Sequence, residues 1–167
     1  MALASGQVAV HTGKGSLALG LDPGRDKTGF AFVDFDGGLV VSGIFPTADS
    51  DAFVADFRPY IIEGSSEELP DDALGHVEFI AIGDGTTSRE FSGKVRAWAR
   101  CEVLEVDERN TTLEARGLYW KIHRPGIFVR LLPEGLRVPS RVLDDLAAWA
   151  VALRGLKKYR DIRGNKL

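Results

Sequence analysis

Acidic residues stand at the ends of three apolar runs of the chain and at the start of a fourth. They are Asp22, Asp84, Asp107, Glu108, Asp144 and Asp145. In an open α/β sheet, parallel strands line one crevice with their carboxyl ends. If the first three runs are such neighbouring strands, and the fourth packs over the same edge, these carboxylates converge on one point.

Converging carboxylates repel one another, which raises their pKa values and costs stability. Hard divalent cations remove that cost, and Mg²⁺ and Mn²⁺ prefer oxygen ligands. Two such ions about 3.5–4 Å apart activate a water molecule and stabilise the leaving oxygen in phosphodiester cleavage. Each acid alone has an ordinary explanation as a turn residue or as a charge at a helix start, but the joint pattern predicts metal-dependent phosphodiester hydrolysis.

The hydrophobic pattern predicts which elements position these acids. The predicted strands span 16–22, 29–36, 39–45, 77–83 and 101–106, and the predicted helices span 50–62, 88–100, 111–123 and 141–159. The order is therefore β-β-β-α-β-α-β-α followed by a last helix, and the Pro- and Gly-rich segment between the last two helices is a predicted loop. An opening meander joined by later parallel strands gives an α/β fold with a mixed five-stranded sheet flanked by helices.

Composition limits the kind of protein. The 167 residues suit one domain, which we expect over 16–167 after a flexible N-terminal tail, residues 1–15. A single cysteine, Cys101, excludes an intramolecular disulfide and a cysteine zinc site, and it fits a reducing cytoplasm. The N-terminus does not resemble a secretory signal and no apolar run is long enough to span a bilayer, so a cytoplasmic protein without a membrane partner is expected.

Charge is segregated along the chain. The net charge is −3, yet residues 109–141 hold seven Lys and Arg residues against two Glu residues. A basic face on an acidic protein predicts a nucleic-acid partner, because phosphate contacts dominate affinity. The candidates for contacting the nucleic acid are Arg25, Lys27, Thr86, Thr87, Ser88, Arg109, Arg116 and Arg141. Solvated surface charge and simple helix capping are the alternative explanations for these residues.

Three stretches carry a family resemblance. "LGLDPGRDKTGFAFVD" (19–34) resembles the opening hairpin of the RuvC-like nucleases within the RNase H-like superfamily. "VDERNTTLEAR" (106–116) resembles the second signature of the YqgF family, and "DDLAAWAVAL" (144–153) resembles its last motif. The resemblance extends from about residue 17 to the final helix, and the middle motif is the most specific.

This resemblance implies an RNase H-like fold and a Mg²⁺- or Mn²⁺-dependent nuclease with two ions, either a Holliday junction resolvase or a nuclease that matures precursor 16S ribosomal RNA. By this resemblance Asp22, Glu108 and Asp144 are the metal-binding acids. Asp84 stands where relatives carry an acid, but "IGDGTTS" departs from their usual Gly-Leu-Pro segment. Asp84 is therefore either a ligand or part of a substrate-binding loop. Asp107 and Asp145 are alternatives to their neighbours.

Two other classes compete with the nuclease. The actin-like ATPase fold also opens with Asp-x-Gly and a hairpin, but it needs two such domains and this chain is too short. A non-catalytic nucleic-acid-binding module of the same fold is the stronger alternative. The presence of all the acids argues against it, because such a module would be expected to have lost some of them. The sequence leaves open whether the substrate is branched DNA or precursor rRNA, and whether cleavage is endo- or exonucleolytic. It also leaves open a homodimer, which paired cuts in a junction would need.

Overall fold

A computed structural model describes residues 15–133 and 136–164. It contains a six-stranded mixed sheet in the order β4-β3-β2-β1-β5-β6. The strands are β1 (Leu17–Pro23), β2 (Lys27–Asp34), β3 (Leu39–Pro46), β4 (Ile61–Gly64), β5 (Val77–Gly83) and β6 (Glu102–Val106). The first four strands pair antiparallel, whereas β5 lies parallel to β1 and β6 lies parallel to β5.

Helices flank both faces of this sheet. They are α1 (Ser50–Ala55), α2 (Ser88–Trp98), α3 (Thr111–Ile122), α4 (Ile127–Arg130) and α5 (Asp144–Gly164). The 3-10 helices are Thr47–Asp49, Arg58–Tyr60, Ser66–Glu68 and Ala73–His76. The predicted α/β class and the mixed, helix-flanked sheet are therefore confirmed. No helix in the described part of the chain has the length and apolar character needed to cross a membrane.

The predicted strand count was wrong, because a sixth strand lies where a helix was predicted. The helix expected over 50–62 ends at Ala55, and β4 follows after a 3-10 turn. Pro59 occupies that turn and has no N–H to continue a helix. The backbone carbonyl of Tyr60 lies 2.0 Å from where a Cβ atom on Gly43 would be, so β4 packs closely on β3.

Other boundaries differ by less. All five predicted strands are present within two residues of their expected limits, while the last helix starts at residue 144 instead of 141 and the predicted loop at 124–140 contains α4. Residues 1–14 of the predicted tail, and residues 165–167 of the predicted domain, lie outside the described residues.

The two faces of the sheet have different packing. One face carries a cluster of phenylalanines that includes Phe45 and Phe53, whose rings stack with centroids 4.2 Å apart. The opposite face carries alanines at Ala18, Ala31 and Ala81 beside larger residues such as Phe79, and it receives α5. The carbonyl of Ala148 lies 2.1 Å from where a Cβ on Gly20 would be, so α5 approaches β1 closely. This close packing brings the first turn of α5 to the end of β1.

Candidate functional site

A cavity of about 350 Å³ lies where β1 and β6 end and α5 begins. Three of its lining residues are acids from different elements, since Asp22 belongs to β1, Glu108 follows β6 and Asp144 opens α5. The other lining residues are Pro23, Gly24, Lys27, Thr86, Thr87, Thr111 and Thr112. The structure therefore brings together the three acids that the family resemblance singles out.

A glycine on β2 allows Asp144 to lie beside Asp22. Gly29 is directly opposite Asp22 in the β1–β2 ladder. The backbone carbonyl oxygen of Asp144 lies 2.0 Å from where a Cβ on Gly29 would be. Any side chain at this position would displace the start of α5, so the site requires a glycine at position 29.

Two further glycines make room for Glu108. A Cβ on Gly85 would lie 2.2 Å from Glu108 Oε1, and a Cβ on Gly83 would lie 2.8 Å from Glu108 Oε2. The carboxylate therefore occupies space over the end of β5 that only glycines leave open. The turn after it is fixed by Thr111, whose hydroxyl donates to the Glu108 carbonyl at 2.8 Å.

Burial and neighbouring charges raise the pKa values of two of the three acids. Burial raises the pKa of Asp22 to about 6, and the negative charges of Glu108 and Asp144 add to that rise. Burial also raises the pKa of Asp144, which nearby Lys27 opposes and Asp145 reinforces. The cavity is thus a concentration of negative charge that only Lys27 offsets among its lining residues, and a divalent cation would lower its energy.

Asp84 and Asp107 lie near this cavity but do not line it. Asp84 Oδ1 accepts the Glu108 backbone N–H at 3.1 Å, while the Asp84 backbone N–H donates to the Val106 carbonyl at 2.9 Å. Asp84 therefore holds the Glu108 backbone in place. Hydrogen bonds from Arg109 lower the pKa of Asp107 to about 2, so these two residues form a surface ion pair.

Asp145 faces away from the cavity although it follows Asp144. Its carboxylate is fully buried and accepts hydrogen bonds from the Ser42 hydroxyl at 2.7 Å and from Arg141 Nη1 at 2.7 Å. Arg141 also donates to Glu63 at 2.8 Å. The charge of Arg141, a predicted phosphate contact, is thus shared between two carboxylates, and Asp145 connects α5 to β3.

The predicted phosphate contacts fall into two groups. Lys27, Thr86 and Thr87 line the cavity, and the Thr87 hydroxyl donates to the Pro23 carbonyl at 3.0 Å. The others do not line it: Ser88 is buried and donates to the Gly85 carbonyl, Arg109 binds Asp107, and Arg25 and Arg116 are exposed.

Arg154 is a residue with a role near this site that the sequence analysis did not predict. Its guanidinium donates to the backbone carbonyls of Asp107 and Arg109, the latter at 2.7 Å, and it also pairs with Glu114. One side chain of α5 thus holds the backbone on both sides of Glu108. A lone arginine within the small, apolar sequence "LAAWAVALRGL" was the signal available for finding it.

Comparison of the sequence with protein-family models matches no family, and comparison with curated proteins gives no match.

Proposed function

We propose that this protein is a metal-dependent nuclease with an RNase H-like fold, similar to the YqgF family. The observation that carries the proposal is the meeting of Asp22, Glu108 and Asp144 at one cavity from three separate elements. The order of strands also supports it, since an antiparallel meander is extended by parallel strands whose carboxyl ends lie at that cavity.

The donor set suits Mg²⁺ or Mn²⁺. Within residues 15–133 and 136–164, no group of three or more His, Cys, Asp or Glu side chains is arranged to hold a metal ion. Mg²⁺ does not need such a cage, because one or two carboxylates, water and substrate phosphates commonly complete its shell. Asp22, Glu108 and Asp144 would share two ions, and water and substrate phosphates would complete the shell of each ion. When bound, these ions would activate water and stabilise the leaving oxygen.

The protein's own residues bind and orient the substrate. Above a pH of about 6 the Asp22 carboxyl is largely ionised and able to hold a cation. Lys27 supplies the positive charge on the cavity wall, and Thr86 and Thr87 lie at the start of α2, where backbone N–H groups favour phosphate. The substrate is branched DNA or precursor rRNA, the former requiring a homodimer, and the activity belongs in the cytoplasm.

Cleavage of two substrates side by side tests this proposal. A mobile four-way DNA junction and a single-stranded RNA carrying an rRNA precursor end are incubated with Mg²⁺ or Mn²⁺. We expect the wild type to cut one of them and Asp22→Asn to cut neither while keeping its circular dichroism spectrum. Asp51→Asn, which removes an exposed carboxylate from α1, is the matched control and retains activity.

The pattern of products distinguishes the substrates. Symmetric paired cuts in the junction indicate a dimeric resolvase, and preferential cutting of the RNA indicates an rRNA-processing nuclease. If the wild type binds nucleic acid but cuts neither substrate with either metal, the nuclease proposal fails and the protein is a binding module of the same fold.

A further inference from the structure

Exposed apolar side chains are concentrated in one segment between α3 and α5. Seven of the nine exposed large hydrophobic residues of the described chain lie here, namely Ile127, Phe128, Leu131, Leu132, Leu136, Val138 and Val142. Phe128 is 86% exposed and Ile127 is 78% exposed. We call residues 124–133 and 136–143 the arm. So much clustered apolar surface marks an interaction site.

Both ends of the arm are fastened at the edge of the sheet. Glu63 on β4 accepts from Arg141 at 2.8 Å and lies 2.6 Å from His123 Nε2. Burial raises the pKa of Glu63, but the hydrogen bonds from Arg141 and His123 outweigh burial and hold it below its ordinary value. The Arg141–Glu63 ion pair and the His123–Glu63 hydrogen bond therefore hold the two ends of the arm together. The last residue of the arm directly precedes Asp144.

The arm is basic as well as apolar. In the sequence, residues 124–143 contain four arginines and one acid, Glu134. Arg137 donates to the carbonyls of Arg130 and Leu132 and so closes the arm on itself, while the side chains of Arg124 and Arg130 are exposed.

Helix α3 connects the cavity to this arm. Its first residues, Thr111 and Thr112, line the cavity, and its last turn leads into Arg124. Arg116 and Lys121 are exposed along the helix between these ends. With 12 residues, α3 spans about 18 Å. Exposed cations therefore lie on α3 between the candidate site and the arm.

We propose that the exposed face of α3 and the arm bind an unpaired nucleic-acid strand that leaves the cavity. This inference rests on the proposed function and adds the surface that holds the substrate outside the cavity. Arg116, Lys121 and the arm's exposed arginines contact phosphates, and Phe128 stacks on a base, which needs the free face that an unpaired base offers.

Charge favours this occupant over a second copy of the chain. A two-fold dimer places the same patch of each subunit against the other. A second copy would then bring a second set of the same arginines into the interface, whereas a polyanion neutralises them. The mixture of exposed arginines with an aromatic residue is the composition that binds single strands.

Binding without metal tests this inference separately from cleavage. Fluorescence anisotropy is measured with labelled oligouridylate and oligothymidylate of about 20 nucleotides, longer than one fold usually covers, and with a duplex of equal length. We expect Phe128→Ala to lower affinity for both single strands at least fivefold and to leave duplex binding unchanged. Ile62→Ser, which alters an exposed apolar residue of β4, is the matched control and binds as the wild type does.

Arginine replacement and sedimentation complete the experiment. Arg124→Gln/Arg130→Gln should reduce the salt slope of single-strand binding by about 1.4, the value for two lost phosphate contacts. Unchanged single-strand affinity in Phe128→Ala overturns the inference. So does a wild-type dimer that Phe128→Ala converts to a monomer, since a second copy would then cover the arm. A protein that binds through the arm yet cleaves nothing keeps this inference and loses the proposed nuclease activity.

Discussion

The backbone carbonyl oxygen of Asp144 lies 2.0 Å from the position that a Cβ atom of Gly29 would occupy. Gly29 is itself opposite Asp22 in the β1–β2 ladder. The absence of a side chain at Gly29 therefore allows Asp144 on α5 to lie close to Asp22 on the sheet. The geometry of the site is a consequence of how closely that helix packs.

Gly29→Ala should therefore destabilise the protein and disrupt the site together. The new methyl group meets backbone rather than a flexible side chain, so α5 must shift, and overpacking of this kind typically costs about 1–3 kcal/mol. Urea unfolding measures the loss. Gly117→Ala is the matched control, because nothing lies within 4 Å of its added Cβ and it sits within a helix. It should stabilise the protein by about 0.5–1 kcal/mol.

The pKa of Asp22 predicts an unusual dependence of stability on pH. Its pKa rises from an ordinary 3.8 to about 6 on folding, so the folded state binds the proton more tightly than the unfolded state. Stability should then fall as pH rises through this interval, by up to about 3 kcal/mol, and change no further above it.

Chemical unfolding at several pH values in the presence of a chelator measures this slope. Asp22→Asn should show a much smaller fall, because only the contribution of Asp144, whose pKa burial also raises, remains. It should be more stable than the wild type at neutral pH, while Asp51→Asn should retain the full fall. Added Mg²⁺ should raise the stability of the wild type at neutral pH more than that of Asp22→Asn. Identical pH profiles for wild type and Asp22→Asn would show that ionisation of the buried Asp22 carboxyl does not cause the fall in stability.

The sequence predicted the convergence of Asp22, Glu108 and Asp144 on one cavity from the positions of acids at the ends of apolar runs. Asp22 and Glu108 directly follow or end apolar runs, and runs that become parallel neighbours bring such ends together. What it could not predict was the direction of each side chain. Asp145 is held by Ser42, 103 residues away, and Asp84 by the backbone of Glu108, 24 residues away. These contacts depend on tertiary packing.

The missed strand has a similar cause. The apolar residues of 50–62 recur at helical spacing, and Phe53 and Phe57 are buried as a helix would bury them. Strand β4 follows because the edge of β3 is open to pairing and Gly43 allows close approach. Local periodicity contains no information about a free strand edge elsewhere, so tertiary pairing overrode it.

Removing Arg141 should destabilise the protein, because the buried Asp145 carboxylate loses its cationic partner. Arg141→Met leaves the fully buried Asp145 carboxylate with only the Ser42 hydroxyl as a side-chain donor, and breaking a buried pair in this way costs about 3–5 kcal/mol. The double variant Arg141→Met/Asp145→Asn removes the stranded charge and should recover part of the loss. Thermal and urea unfolding of both variants test this. Equal stability of the single and double variants would contradict it.

Gly85→Ala should separate activity from stability. Its Cβ would lie 2.2 Å from Glu108 Oε1, the end of a flexible side chain that can move at little cost. The free energy of unfolding should change by no more than about 0.5 kcal/mol, while displacement of the carboxylate by about 1 Å can lower cleavage about 100-fold. Gly93→Ala on α2 has no atom within 4 Å of its Cβ and is the matched control. Full activity in Gly85→Ala would contradict the role of Glu108 in cleavage.

Arg154→Met should weaken metal binding although Arg154 does not line the cavity. The arginine donates to the carbonyls on both sides of Glu108, so its loss removes one of the side chains that hold this backbone, with Asp84 and Thr111 remaining. Residues that orient ligands in this way typically contribute about 10- to 100-fold to metal affinity. We expect Mn²⁺ binding, measured by calorimetry, to weaken by that factor, with a stability loss of about 1–3 kcal/mol from the unpaired carbonyls. Arg154→Lys should restore part of the affinity, since an ammonium can still reach one carbonyl.

The control for this experiment lies one turn further along α5. Lys158 donates to the Glu105 carbonyl at 2.7 Å, on β6 but before the Glu108 segment. Lys158→Met removes a comparable contact between helix and strand and should leave Mn²⁺ affinity unchanged. If both variants weaken Mn²⁺ binding equally, Arg154 acts through general stability. If only Arg154→Met does, the arginine positions Glu108, and α5 fixes two of the three acids, Asp144 by its first residue and Glu108 by this side chain.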